Sequence, residues 1–253
     1  MKLSNPAIIL TAVLMFFLSA AVQAQSHDTQ PAKPQQPKSS SILLGTQEIL
    51  IPAPEGFEEA ASQFPSFKAR VEATEAPQND ALLAFLPAGD CESLRKGLNP
   101  TLNYYAKISV FKAGKELRLT AAELATAVND IRKNAGTLLD PNSQHMKDLD
   151  RRVEERLSAI NSAETKIDIV GKPEIMGEFD SQPSVNSFLA LITYKMAAGG
   201  AEKTFSVLMT ISLVLVKERI IFAYVFRQYE SKADLEPLRL FAKKWTSSIL
   251  AAN

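Results

Sequence analysis

The stretch from Phe205 to Tyr229, FSVLMTISLVLVKERIIFAYVFRQY, restricts the fold more than any other part of the chain. Two apolar runs flank the charged triplet Lys217, Glu218 and Arg219. Those charges interrupt the run before it reaches the ~18 continuous apolar residues that a membrane-spanning helix needs. A buried helix is the alternative to a pair of strands. Strands are favoured because β-branched and aromatic residues dominate and a period of two sorts them into faces. Phe205, Val207, Met209, Ile211, Leu213 and Leu215 share one face, opposite the mixed set Ser206, Leu208, Thr210, Ser212, Val214 and Val216. Ile220, Phe222, Tyr224 and Phe226 alternate with Ile221, Ala223 and Val225, so both faces of the second strand require cover. This pattern belongs to the centre of a sheet with a layer on each side. The junction lacks Asn-Gly or Asp-Gly, so the expectation is a loop around Lys217 rather than a tight primed turn.

The flanking sequence extends this reading. Phe188 to Met196 alternates as a further strand, and Gly199-Gly200 turns it into the central stretch, giving an antiparallel meander. Gln47–Ile51, Leu82–Leu86 and Leu102–Phe111 read as strands, the last with Tyr105, Ile108 and Val110 in the core. Ile167–Val170 and Glu174–Phe179 are split by Gly171 and Pro173 into two short strands or one bent one. Helices are expected from Pro65, carrying Phe67 and Val71, and from Asp90 to Lys96, with Asp90 as N-cap and Gly97 as stop. Thr120 and Glu123 have capping-box spacing and open a helix with Leu124, Val128 and Ile131 on one stripe. A helix over 143–161 carries Met146, Leu149, Val153, Leu157 and Ile160 on one side and balanced charges on the other. A C-terminal helix capped at Asp234 rather than Ser231 would lay Leu238, Phe241, Trp245 and Ile249 across the meander. The fold class is α+β, a mainly antiparallel sheet covered by helices.

At the N-terminus, Lys2, the apolar run Ala7–Leu18 and the small residues around Ala24 read as a secretory signal peptide spanning 1–24. An uncleaved anchor is the alternative. Residues 25–41 are rich in Gln, Pro and Ser, hold no apolar residue larger than Ala, and read as a disordered tether. The globular domain would then be 42–253. Localisation is exported, either periplasmic or secreted, with no stable membrane span once the leader is removed. Zero formal net charge, about minus one after loss of Lys2, gives no electrostatic bias toward nucleic acid. A single cysteine, Cys91, forbids an internal disulfide. It reads as a small buried hydrophobe, with a reactive thiol as the alternative.

No catalytic, cofactor-binding or metal-binding residue is assigned. The two histidines, His27 and His145, lie in the tether and near the start of a charged helix, without a nucleophile motif around either. Asp148 and Asp150 start like a calcium loop but lack its Gly and terminal Glu. Neither a P-loop nor a dinucleotide fingerprint nor a nucleophile elbow occurs.

The IPAPEGF strand-and-turn, the KTFSVLMTISLVLVKERIIFAYVF hairpin and a terminal helix holding Trp245 together resemble exported PsbP-like or DcrB-like domains. The resemblance covers the start and the last third of the chain. It implies a non-enzymatic binding or accessory module of the cell envelope whose partner is a protein or small ligand. Two other functions fit the sequence: a hydrolase built on carboxylates, and an assembly partner using the Met146–Ile160 helix.

Overall fold

The computed structural model describes residues 39–253 except 99, 139, 141, 162, 163 and 199. The expected leader and nearly all of the expected tether lie outside the described residues. In chain order the elements are β1 (Ser40–Leu44), β2 (Gln47–Ile51), β3 (Phe57–Glu59), α1 (Pro65–Ala73), β4 (Asn79–Pro87), α2 (Ala88–Arg95) and β5 (Tyr104–Phe111). They continue with α3 (Ala121–Leu138), α4 (Gln144–Asn161), β6 (Thr165–Ile169), β7 (Glu174–Gln182), β8 (Val185–Ala198), β9 (Ala201–Val216), β10 (Arg219–Gln228) and α5 (Leu235–Ala251). The fold is α+β.

The main sheet is antiparallel, in the order β3-β4-β5-β10-β9-β8-β6, with β7 sharing the outer edge of β8 with β6. The meander β8-β9-β10 forms its middle, and the period-two sorting holds residue by residue. Val207, Met209, Ile211, Leu213, Ile220, Phe222, Tyr224 and Phe226 pack beneath α1, α3 and α4. Leu208, Val214, Val216, Ile221, Ala223 and Val225 pack beneath α5 and the separate β1–β2 hairpin. Each large side chain buried this way contributes roughly 1.5–3 kcal/mol. Trp245 is pressed edge-on against Phe85, with ring centroids 5.6 Å apart, and its Nε1 donates to the Pro52 carbonyl at 2.9 Å.

Four local expectations are corrected. The β9–β10 connection is a two-residue turn in which Lys217 and Glu218 have φ of 47° and 62°, both left-handed. Such turns match the twist of the flanking strands, and the usual cost without Gly or Asn is offset by tertiary ties. Lys217 Nζ donates to the Glu48 carbonyl, and the Glu218 carbonyl accepts from the Leu119 amide. The second correction concerns α2, which begins at Ala88, so Asp90 sits inside its first turn and caps nothing. Third, Asp234 does stand at the N-cap of α5, but the capping hydrogen bonds lie one turn earlier, where Ser231 accepts from Ala233 N while Asp234 accepts from Ser231 N. This capping box opens a 3₁₀ turn over Lys232–Asp234 that runs into α5 and leaves Pro237 harmlessly in the first α-turn. Finally, Ser40 and Ser41, assigned to the tether, are strand residues because the hairpin pairs them with Ile51 and Leu50.

Candidate functional site

The densest polar chemistry lies where sequence reading expected only core. After α1, whose C-cap is Thr74, the turn through Pro77 carries Glu75 inward beneath the sheet. Strand β5 presents Lys107 and Ser109 to the same space, since they alternate with Ala106, Ile108 and Val110, which face the other layer. Glu75 Oε2 accepts from Lys107 Nζ at 2.8 Å and from Ser109 Oγ at 2.6 Å, and Oε1 accepts from Asn79 Nδ2 at 3.4 Å. The ammonium lies 5.0 Å from the Tyr224 ring centroid and 5.6 Å from that of Phe226, within cation–π range. Arg156 of α4 donates to the carbonyls of Glu72 and Glu75, fixing the turn from outside. Burial and the Glu75 charge hold the Tyr224 phenol well above its ordinary value.

A serine donating to a carboxylate beside a lysine has the parts of an activated nucleophile. However, Glu75, Lys107 and Ser109 are 4 %, 2 % and 0 % exposed, which leaves a substrate no approach. The cluster neutralises itself and ties α1 and α4 to the sheet. The signal that could have revealed it is the alternation in β5: a lysine and a serine facing a covered side of a central strand require partners there.

Residues singled out from sequence fall elsewhere. Cys91 is fully buried, and burial pushes its thiol up to about 12. His27 lies outside the described residues, as does the side chain of His145. Met146, Leu149, Val153 and Leu157 are buried under the sheet, with Ile160 partly so. The stripe is therefore spent in the core, and α4 does not offer the exposed apolar face that an assembly role on that helix requires. Asp148 and Asp150 lie on α4 and not in a loop. Asp150 is pushed up to about 7, first by burial and then by the Glu154 and Asp168 carboxylates. Among the described residues, no group of three His, Cys, Asp or Glu is disposed to hold a metal ion. No helix among them is long and apolar enough to cross a membrane.

The strand edges supply the other polar groups. Along β2, Leu50 N and O are bonded to the Asn253 side chain at 2.9 and 2.8 Å, and the Glu48 carbonyl to Lys217 at 2.9 Å. Because Glu48 and Leu50 turn their backbone groups outward, the register makes their partners Leu43 and Ser41 do the same on β1. Among the described residues, Ser41 and Leu43 have no neighbouring strand on that side, and Leu43 is 70 % exposed. The hairpin is thus closed along β2 and open along β1.

No protein-family model matches the sequence, and no curated protein matches it significantly. Among solved structures, the Saccharomyces cerevisiae Ran-binding protein Mog1p aligns at 13 % identity over 86 % of this chain and 93 % of that one, with a TM-score of 0.32. A point mutant of Mog1 aligns at 14 % identity over 85 % and 92 %, with a TM-score of 0.31. Likeness at this level does not define a common fold.

Proposed function

We propose that the protein is an exported, non-enzymatic binding module that takes an extended segment of a partner protein onto the free edge of β1. The observation that carries this reading is the asymmetry of the hairpin, whose β2 edge is tied off by Asn253 and Lys217 while Ser41 and Leu43 face outward without a neighbouring strand among the described residues. Strand addition uses main-chain hydrogen bonds for affinity and a side chain such as Leu43 for selectivity. Export is supported by the charged, apolar and small-residue succession of residues 1–24, and the accessory role by the resemblance to PsbP-like and DcrB-like domains.

The test places a photocrosslinking residue at Leu43 in the full chain expressed in its own cell. The expected result is a discrete adduct with an exported protein, made by a chain shortened at Ala24. Adding Ser41→Pro should remove the adduct without unfolding the hairpin, because the lost N–H points outward. Equal crosslinking from a control position at Glu202, or an unprocessed chain in the cytoplasm, would overturn the reading.

A further inference from the structure

Strand β6 is an outer strand of the main sheet, and among the described residues no strand pairs its far side. Val170 N donates inward to Thr193 O, so alternation along β6 sends the backbone groups of Thr165, Ile167 and Ile169 outward, away from β8. Outward groups on a flat edge are a template for another strand. Strand β7, which shares this side of β8, is spoiled for that purpose by two register shifts and by Gly177 at a φ of 104°. The register of β6 on β8 is unbroken. Its outward groups are met by side chains of α4 instead. Ser158 Oγ accepts from Thr165 N at 2.8 Å and donates to the Thr165 carbonyl at 3.4 Å, and Glu154 Oε1 accepts from Ile167 N at 2.8 Å. These side chains take up bonds that a facing strand would make.

The sequence of β6, TKIDI, is complementary to itself. Laid antiparallel on a second copy about a two-fold axis at Ile167, it sets Ile167 opposite Ile167 and Thr165 opposite Ile169. Those are the outward positions, which exchange N–H and C=O bonds in both directions. The same register sets Lys166 opposite Asp168 on both sides of the axis, on the face where both are exposed. Opposite charges facing each other across strands attract, and like charges repel. Lys166 now lies 3.2 Å from Glu164, an exposed pair that costs little to exchange. We propose that β6 is an association edge for a second copy of this chain, held single by Glu154 and Ser158 of α4. A partner strand needs the room that α4 takes, so two copies join as α4 gives up these bonds and tilts from the seam. The two main sheets then continue into one another.

Sedimentation velocity on the purified protein over a range of concentrations tests this. The wild type should sediment as a monomer. Glu154→Ala with Ser158→Ala should give a dimer, with self-association at least about tenfold tighter than in the wild type. Ser158→Ala alone, the milder change, should move the same way by a smaller factor. Adding Asp168→Lys to the double variant sets lysine opposite lysine and should undo the gain. Adding Lys166→Asp as well exchanges the two charges and should restore the dimer. Ser41→Pro, which spoils the edge of β1, should leave it unchanged. Variants at Glu154 and Ser158 that associate no more than the wild type, a dimer indifferent to Asp168→Lys, or one abolished by Ser41→Pro overturns the proposal.

Discussion

The two faces of the main sheet are held down by opposite means. The face beneath α1, α3 and α4 takes a complete ion pair into its interior, Glu75 with Lys107, and satisfies it with Ser109 and Asn79. The face beneath α5 and the β1–β2 hairpin keeps its buried charges toward its margins, with Arg219 beside the Gly45 turn and Asp180 3.9 Å from Lys243. Its centre is aliphatic and aromatic apart from the uncharged hydroxyls of Thr210, Ser187 and Ser212, the last two bonded to each other at 2.7 Å, and it is closed by Trp245. The difference teaches how loops and helices are docked. The turn after α1 is irregular backbone brought under a sheet, so a charged network fixes its position. Helix α5 already presents a continuous apolar stripe, and its polar ties, Trp245 to Pro52, Lys243 to Asp180, Lys244 to Glu55 and Arg239 to the Met176 carbonyl, flank that stripe.

The comparison is broken most severely on the apolar face. Trp245→Ala should cost about 5 kcal/mol, because a cavity opens and the Pro52 carbonyl loses its donor, and a shift in the denaturant midpoint will show it. An unchanged midpoint would show that Trp245 does not seal that layer. On the polar face, Lys107→Met leaves a buried Glu75 without its cation and should cost about 3 to 4 kcal/mol. Adding Glu75→Leu should recover at least about half of that loss, since a buried pair is worth little more than apolar replacements of similar volume. Failure of the double variant to recover would mean that the network, not the unpaired charge, carries the stability. The smallest effect sharpens the comparison at the margin. Replacing Lys217 and Glu218 together by Asn and Gly relieves two left-handed residues and should raise stability by about 1 kcal/mol in the same assay. A loss instead would show that the ties to Glu48 and Leu119 outweigh the backbone strain.

These two faces were also unequally legible in the sequence. The apolar one could be read almost completely, because Leu208, Val214, Ile221 and Val225 alternate strictly and Leu238, Trp245 and Ile249 repeat at helical spacing. The polar one could not, because Glu75 lies 32 residues from Lys107 and 34 from Ser109, and periodicity does not report pairing across such distances. Reading β5 through Tyr105, Ile108 and Val110 merged residues that face opposite layers: Tyr105 lies under the helices and the other two under α5. The β9–β10 turn was missed for a related reason. Its conformation is imposed by partners at Glu48 and Leu119, whereas turn chemistry read from sequence weighs only the turn residues themselves. Proline placement correctly puts Asp234 at the N-cap of α5, but it does not reveal the 3₁₀ turn that sets a capping box at Ser231 ahead of it. The open edge of β1 had no sequence signal at all, since it depends on which flank of the hairpin Asn253 and Lys217 occupy.

The position of Cys91 sets a clock on the chain's own chemistry. In the folded protein the sulfur is enclosed and its thiol raised to about 12, so almost no thiolate exists at neutral pH to attack or be oxidised. In the newly made, unfolded chain the same group ionises near its ordinary value and is open to mixed disulfides. The hazard therefore belongs wholly to biogenesis: whichever finishes first, closure of the layer over the sulfur or capture by an oxidant, decides whether a given molecule matures.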